Sequence, residues 1–257
     1  MGEENGGGLP ESVELAWGLR DRPGKGPKRT LSLKGIVEAA IRVGAAEGLE
    51  AVSMSRVAAE AGASTMALYR YVPSKGDLLT LILDELLGPP PGPPEPGTGW
   101  REALREYAVA LREVTGRHPW ALNIPITGPP VMPNNVAWME AGLRRMRGTG
   151  LDSGTRLSIL TLLTGYVRFT AGLIHDLESG TRAAGKTEQQ VAIDYGGVLA
   201  AVTKEGDFPE LRAIVAERLF AEPGDDTPED EFAFGLDCLL DGLEARVRRA
   251  GGPRDDG

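Results

Sequence analysis

Residues 53–75, reading SMSRVAAEAGASTMALYRYVPSK, predict two short crossed helices joined by a tight turn. Ala58 is small enough for the second helix to pass closely, and Gly62 supplies the positive φ that such a turn requires. Ser64 is a typical N-cap, so the run TMA at 65–67 opens the second helix. A helix-turn-helix presents that opening turn to the major groove of DNA. The apolar positions of the pair are Val57, Ala58, Ala61, Ala63, Leu68 and Tyr71.

The polar residues of this segment predict a DNA face. Thr65 can hydrogen-bond a base edge or place its methyl group on a thymine methyl. Lys75 lies in the first turn of the next helix, where its charge and free backbone amides favour a phosphate. No Arg, Asn or Gln occupies the first turn of the second helix, so bidentate reading of a base is not expected there. The residues predicted on this face from position alone are Ser53, Ser55, Thr65, Met66, Ala67 and Lys75.

The net charge of −9 is distributed unevenly along the chain. Residues 19–42 carry seven basic side chains against two acidic ones, and local charge governs phosphate affinity. This stretch predicts a flexible basic arm at 1–30 that enters the minor groove, and a solubilising tail is the alternative. The arm residues assigned to DNA are Arg20, Arg22, Lys28 and Arg29.

Apolar residues recur at helical spacing and extended β-rich runs are absent, so the fold class is predicted to be all-α. The Pro/Gly run at 89–99 cannot continue a helix and marks a predicted boundary. It separates a three-helix helix-turn-helix domain at 31–88 from a helical ligand-binding and dimerisation domain at 99–250. Helices of the second domain are predicted near 100–115, 119–125, 133–148, 153–179, 187–204, 208–221 and 228–249.

The last predicted helix carries an apolar stripe spaced at three and four residues, which is too apolar to face water. The stripe is predicted to form a dimer interface, because two-fold DNA sites need a two-fold protein; a monomeric core would produce the same spacing. Its residues are Phe232, Leu236, Leu239, Leu240 and Leu243.

Aromatic residues make up only 5% of the chain, and several of them fall in the second domain. Large rings between helices line apolar ligand pockets, although each ring here could equally belong to an ordinary core. The tentative pocket residues are Tyr107, His118, Trp120, Trp138, Tyr166, Phe169 and Thr170.

Three motifs give the chain a family resemblance. The run 31–87, "RHPW" at 117–120 and "EFAFGLDCLLDGLEARV" at 231–247 resemble TetR-family transcriptional regulators, in the tetracycline-repressor-like branch typical of actinomycetes. The resemblance implies a homodimer whose two longest helices pack against their copies. It also implies that the Tyr69 hydroxyl reaches a phosphate and that His118 begins a helix beside the effector pocket.

Enzyme chemistry is not expected, and neither is a cofactor or a metal. Two histidines and one cysteine, widely spaced, make no zinc site, and the nucleophile-elbow and P-loop motifs are absent. Cys238 alone allows no intrachain disulfide, which fits a reducing cytoplasm. No stretch of 18 apolar residues is present, so no membrane helix is expected.

The sequence therefore predicts a cytoplasmic, ligand-responsive regulator, most simply a repressor. It would bind a pseudo-palindromic double-stranded DNA operator and be released by a small, largely apolar or aromatic effector. The alternative is a small-molecule-binding helical protein that does not regulate transcription.

Overall fold

A computed structural model describes residues 9–19, 31–204, 207–218, 220 and 227–251, and every regular element within those residues is helical. The all-α prediction is thus confirmed. The helices are α1 (Glu11–Ala16), α2 (Leu33–Glu47), α3 (Met54–Glu60), α4 (Thr65–Tyr69), α5 (Lys75–Leu87), α6 (Trp100–Gly116), α7 (Pro133–Arg145), α8 (Ser153–Ala183), α9 (Glu188–Val202), α10 (Pro209–Ala216) and α11 (Pro228–Arg249), with 3₁₀ turns at Leu49–Ala51 and Pro119–Asn123.

Helices α2 to α5 begin and end where local chemistry predicts. Each begins after a serine whose hydroxyl accepts a hydrogen bond from the backbone amide three residues on. Gly48 ends α2 at a φ of 83°, and Gly62 turns the chain between α3 and α4 at a φ of 65°. The capping serines are Ser32, Ser53, Ser64 and Ser74.

The core beneath these four helices also receives side chains from two segments that the sequence assigned elsewhere. Ala121, Ile124 and Met132, predicted to belong to the second domain, are buried in the same cluster. Val13 of α1 is buried there too, and Trp17 Nε1 donates to the carbonyl of Val131 at 2.8 Å. Residues 11–16 therefore form a packed helix, which the prediction of a flexible arm over residues 1–30 did not include. The members contributed by α2 to α5 include Ile36, Val57, Leu68, Leu78 and Ile82.

The Pro/Gly run at 89–99 follows the end of α5 at Leu87, and the run and the preceding Gly88 are bonded to α7. Trp138 Nε1 donates to the carbonyl of Gly88 at 2.9 Å, and Arg145 Nη2 donates to the carbonyl of Gly92 at 2.7 Å. These bonds tie the run to α7. The structure divides into one unit of Met1–Arg168 with Glu244–Gly257 and another of Phe169–Leu243.

The second unit contains the C-terminal part of α8, then α9, α10 and most of α11. A capping box between Thr187 and Gln190 begins α9. Helices α9 and α10 pack together, and the ring of Tyr195 meets that of Phe220 edge-on at 5.2 Å. No residue of α9 or α10 is fully buried.

Helix α8 is long and apolar enough to cross a membrane by length and composition, and it is the one such helix among the described residues. Its most apolar 18-residue window has a mean hydropathy of 1.5, and only 22% of that window is buried. That window includes polar residues and is not a run of 18 apolar residues, so the expectation of no membrane helix stays a prediction. A soluble helix with an apolar outer face passes the same test, so the finding alone does not indicate a membrane protein.

Candidate nucleic-acid interface and effector site

The recognition helix α4 has one anchored face and one free face. Ser64 Oγ accepts a hydrogen bond from the amide of Ala67 at 3.2 Å, which fixes the first turn. Leu68 is fully buried beneath the helix, while Met66 is 77% exposed and Tyr69 is 48% exposed. Thr65 and Ala67 are half-buried. The helix is therefore held from below and presents its first turn outward, as contact with a DNA groove requires.

Lys75 and the two serines near α3 have different positions. Lys75 is exposed at the first position of α5, whose start is fixed by the Ser74 hydroxyl bonded to the amide of Asp77 at 3.1 Å. Ser53 Oγ accepts from the amide of Arg56 at 3.2 Å, so Ser53 is an N-cap of α3. Ser55 is exposed, and its hydroxyl lies 3.3 Å from that of Ser53.

Two arginines near this surface serve the fold. Arg56 Nη2 lies 2.6 Å from Glu47, and Arg42 Nε lies 3.1 Å from Glu60. Arg56 also reaches Glu60, so the network ties α2 to α3. Hydrogen bonds from Arg42 and then Arg56 lower the pKa of the Glu60 carboxyl. Arg42, counted among the bases of the sequence, is thus already paired. The arm residues Arg20, Arg22, Lys28 and Arg29 lie outside the described residues.

Two of the predicted pocket rings form a packed core. Tyr107 and Trp138 are buried and meet edge-on, with ring centroids 5.3 Å apart. The guanidinium of Arg145 lies 5.8 Å from the centre of the Tyr107 ring. Burial raises the pKa of the Tyr107 phenol to about 12, and the nearby Arg145 charge opposes this rise. These two rings therefore position α7 against α6.

The other predicted pocket residues differ in burial. Trp120 is half-buried, and a Cβ added at Gly44 of α2 would collide with its ring, so the indole lies directly on that glycine. Phe169 is 68% exposed. His118, Tyr166 and Thr170 are half-buried. A cleft of about 250 Å³ in the second unit contains none of the predicted residues; it is lined by Ile193, Gly196, Gly197, Val215, Arg218 and Phe220.

Sequence reasoning missed a buried carboxylate that links α5 to α7. Asp84 is 7% exposed, and its oxygens accept hydrogen bonds from the backbone and side-chain amides of both Asn134 and Asn135, at 2.9 to 3.3 Å. The carboxylate thereby satisfies free amides in the first turn of α7, as an N-cap would. An acidic residue in the apolar run of α5 was the available signal, but its partners lie about 50 residues away.

Four of the five residues of the predicted dimer stripe are covered within a single chain. Phe232, Leu236, Leu240 and Leu243 are buried within a single chain, and only Leu239 is half-exposed. Buried side chains cannot also form the contact surface with a second copy. On the two longest helices, α8 and α11, other large apolar side chains are exposed. They are Phe234 on α11 and Leu157, Leu162, Phe169, Leu173 and Leu177 on α8.

Within the described ranges, no three His, Cys, Asp or Glu side chains lie close enough to hold a metal ion.

Comparison with known proteins agrees with this architecture. The model of the family described as "Bacterial regulatory proteins, tetR family" matches residues 36–82. The model described as "Tetracyclin repressor-like, C-terminal domain" matches residues 93–247. The HTH-type transcriptional repressor DrrR1 of Streptomyces coeruleorubidus is 38% identical over 247 residues, which cover 96% of this chain and 89% of that protein.

Two solved structures of one relative resemble the fold at full length. Apo ActR from Streptomyces coelicolor superposes with a TM-score of 0.69 at 28% identity, over 87% of this chain and 100% of ActR. ActR in complex with actinorhodin gives a TM-score of 0.68 at 28% identity, over 86% and 99% of the two chains. Together with the capped helix-turn-helix, these matches place the chain in the TetR family, as a DNA-binding transcriptional regulator that responds to a small-molecule ligand.

Proposed function

We propose that the protein is a repressor that binds a two-fold DNA operator as a homodimer and leaves it when an aromatic effector binds. The observation that carries this proposal is the outward face of α4, where Met66 and Tyr69 are exposed above the fully buried Leu68. A short helix that exposes a methionine and a tyrosine gains nothing for the fold from doing so. It gains contact area when the helix lies in a major groove.

The residues of this surface take different parts in DNA contact. Thr65 and Met66 touch base edges, where the threonine methyl and the thioether suit a thymine methyl. Lys75 and the Tyr69 hydroxyl contact phosphates on either side of the groove, and Ser55 joins them. Ser53 acts through its cap of α3. The basic residues at 20–29 add charge along the adjacent minor groove.

The dimer forms through the outer face of α8. Leu162, Phe169, Leu173 and Leu177 are all more than 45% exposed and recur at helical spacing, which makes an apolar stripe that the described residues of the chain leave exposed. A second copy covers that stripe. This explains why α8 is apolar enough for a membrane in a protein that acts on DNA in the cytoplasm. The protein acts by binding, without catalysis.

The effector works through its different affinity for the two states of the dimer. Only such a difference can shift the population away from the DNA-bound arrangement. Actinorhodin is bound by ActR, a relative with 28% identity, and an aromatic effector would suit the ring-bearing helices α6 to α8. The alternative, a small-molecule-binding protein without a regulatory role, leaves the exposed first turn of α4 unexplained.

Fluorescence anisotropy with the intergenic DNA upstream of the gene tests the proposal, with unrelated DNA of equal length as the reference. We expect tight, salt-dependent binding to the first fragment and weak binding to the second. The Lys75→Ala variant should bind all sequences more weakly and lower the salt slope by about 1. The Lys186→Ala variant removes a lysine paired with Asp194 in the second unit and should bind like the parent. Equal affinity of the parent protein for the two fragments would refute the regulatory function.

Substitution of the basic residues tests the role of the arm in DNA binding better than deletion of the arm does. Deleting residues 1–26 would also remove Val13, which is buried in the core of the DNA-binding region. Changing Arg20, Arg22, Lys28 and Arg29 to glutamine keeps α1. We expect the quadruple variant to lose at least about tenfold in operator affinity. Unchanged affinity would show that the arm is a solubilising tail that does not contact DNA.

A further inference from the structure

Arg168 is a half-buried charged side chain of α8 and follows the fully buried Val167 in the chain. Desolvation by this partial burial lowers the pKa of its guanidinium, and no carboxylate among the described residues offsets the effect. Partial burial of a cation without a carboxylate partner costs free energy, so the position calls for an explanation.

The hydrogen bonding of Arg168 is far from complete. A guanidinium has five N–H donors. In the part of the chain that the structure describes, its one acceptor is the backbone carbonyl of Leu122, which Nη2 reaches at 3.2 Å. A neutral carbonyl balances little of the charge, and four donors are left for another acceptor. Such a fork fits a carboxylate on a ligand.

The Leu122 carbonyl belongs to the Pro119–Asn123 turn, which reaches into the DNA-binding region. Trp120 of the turn lies on Gly44 of α2, and Ala121 and Ile124 are buried in the core that α2 to α5 share. The indole N–H of Trp120 is also buried, with no acceptor among the described residues. The turn therefore connects the guanidinium of Arg168 with the first helix of the DNA-binding region, α2.

We propose that Arg168 binds an acidic group of the effector, and that this contact draws the guanidinium from the Leu122 carbonyl and loosens the Trp120 contact with Gly44. The inference rests on the proposed function and names the effector class as an aromatic acid. A carboxylate carries a full negative charge and can accept two parallel hydrogen bonds from the guanidinium, so an acid outcompetes the single neutral carbonyl. An uncharged analogue lacks that advantage.

A pair of nearly isosteric probes isolates the charge. Anthraquinone-2-carboxylate and anthraquinone-2-carboxamide have the same rings and differ in a carboxylate against a neutral amide. Isothermal titration calorimetry of the full chain without DNA gives the affinity for each, and anisotropy with the upstream DNA gives the concentration that releases the protein. We expect the carboxylate to bind at least about tenfold more tightly than the carboxamide and to release DNA at a correspondingly lower concentration.

Variants of Arg168 test the assignment through the ratio of the two affinities. Arg168→Gln should bring that ratio close to one, and Arg168→Lys should keep part of the preference because the charge remains. Arg182→Gln removes an exposed arginine from the last turn of the same helix and should leave the ratio unchanged. The ratio does not depend on the affinity of the unliganded protein for DNA, and thermal unfolding by circular dichroism confirms that each variant is folded.

The two measurements distinguish failure of the acid site at Arg168 from failure of the proposed regulatory function. A preference for the carboxylate that survives in Arg168→Gln, or equal affinity of the parent for both probes, overturns the inference, and so does the absence of binding to either. Calorimetry needs no DNA, so its result stands even if the upstream fragment is not bound. In that case the regulatory function fails while the acid site at Arg168 is retained.

Discussion

The carboxylate of Asp84 accepts a hydrogen bond from the backbone amide of Asn135 at 2.9 Å, which joins the last helix of the DNA-binding region to the first turn of α7. Three further donors of Asn134 and Asn135 reach the same carboxylate. A buried acid that satisfies the free amides of another helix fixes the distance and the angle between the two helices. These bonds therefore hold α7 to the helix that carries Lys75 at its other end.

The Asp84→Asn variant should lower the free energy of unfolding by about 2–3 kcal/mol. The amide that replaces one carboxylate oxygen directs its own N–H groups at buried N–H donors, which leaves them without an acceptor. Urea unfolding followed by circular dichroism measures the loss. Glu85→Gln makes the same change at the exposed neighbouring position and should alter stability by less than about 0.5 kcal/mol. Equal effects of the two changes would show that the Asp84 bonds contribute nothing.

The sequence was sufficient for the features that local chemistry determines. The Ser64 cap of α4 and the positive φ of Gly62 each depend on a few consecutive residues, and both were predicted. The bonds of Asp84 and Arg145 could not be predicted, because their partners lie about 50 residues away and have no periodic signal. Helix α1 has only six residues, too few for a helical pattern to be read.

The two apolar helices of the second domain show a second limit. Spacing identifies an apolar stripe but does not say whether the chain itself or another copy covers it. Leu236 and Leu240 satisfy the stripe on α11 and are buried within one chain. Phe169 and Leu173 on α8 are exposed and were not assigned to the interface from spacing. Only the folded structure distinguishes these cases. The ring pair Tyr107 and Trp138 was likewise indistinguishable from a pocket.

Substitution of Gly44 should test the contact between α2 and Trp120. A Cβ at this position collides with the indole ring, so we expect Gly44→Ala to destabilise the protein by about 1–3 kcal/mol and to weaken DNA binding. The double variant Gly44→Ala with Trp120→Leu provides room for the methyl group and should recover part of the loss. A double-mutant cycle on urea midpoints measures the recovery. Additive losses would mean that the two side chains do not meet.

Tyr107 should make the stability depend on alkaline pH. Its pKa in the folded state is raised from 10.0 to about 12, so the unfolded chain releases its proton first. The contribution is fully present below pH 10 and is lost as the pH rises from about 10 towards 12. Between about pH 9 and pH 11 the parent should lose about 1 kcal/mol more than Tyr107→Phe, as measured by urea unfolding at both values.

The control for that experiment is Tyr195→Phe, which removes a phenol that is 52% exposed. It should lose as much stability as the parent between the two pH values. If the free energies of unfolding of Tyr107→Phe and the parent fall equally between the two pH values, the buried phenol does not contribute to the pH dependence of stability. The assignment of its raised pKa would then be wrong.

The dimer should depend on the outer face of α8. In the double variant Phe169→Glu with Leu173→Glu, two copies that pair through this face would bury four carboxylates, at a cost of several kcal/mol for each unpaired ion. Both positions are exposed in a single chain, so the variant should remain folded, sediment as a monomer in analytical ultracentrifugation and lose operator affinity. Val198→Glu with Val202→Glu adds the same charges to exposed positions on α9 and should leave the dimer intact. Leu240→Glu should instead unfold the chain, because that side chain is fully buried. A dimer that persists in the α8 variant would place the interface elsewhere.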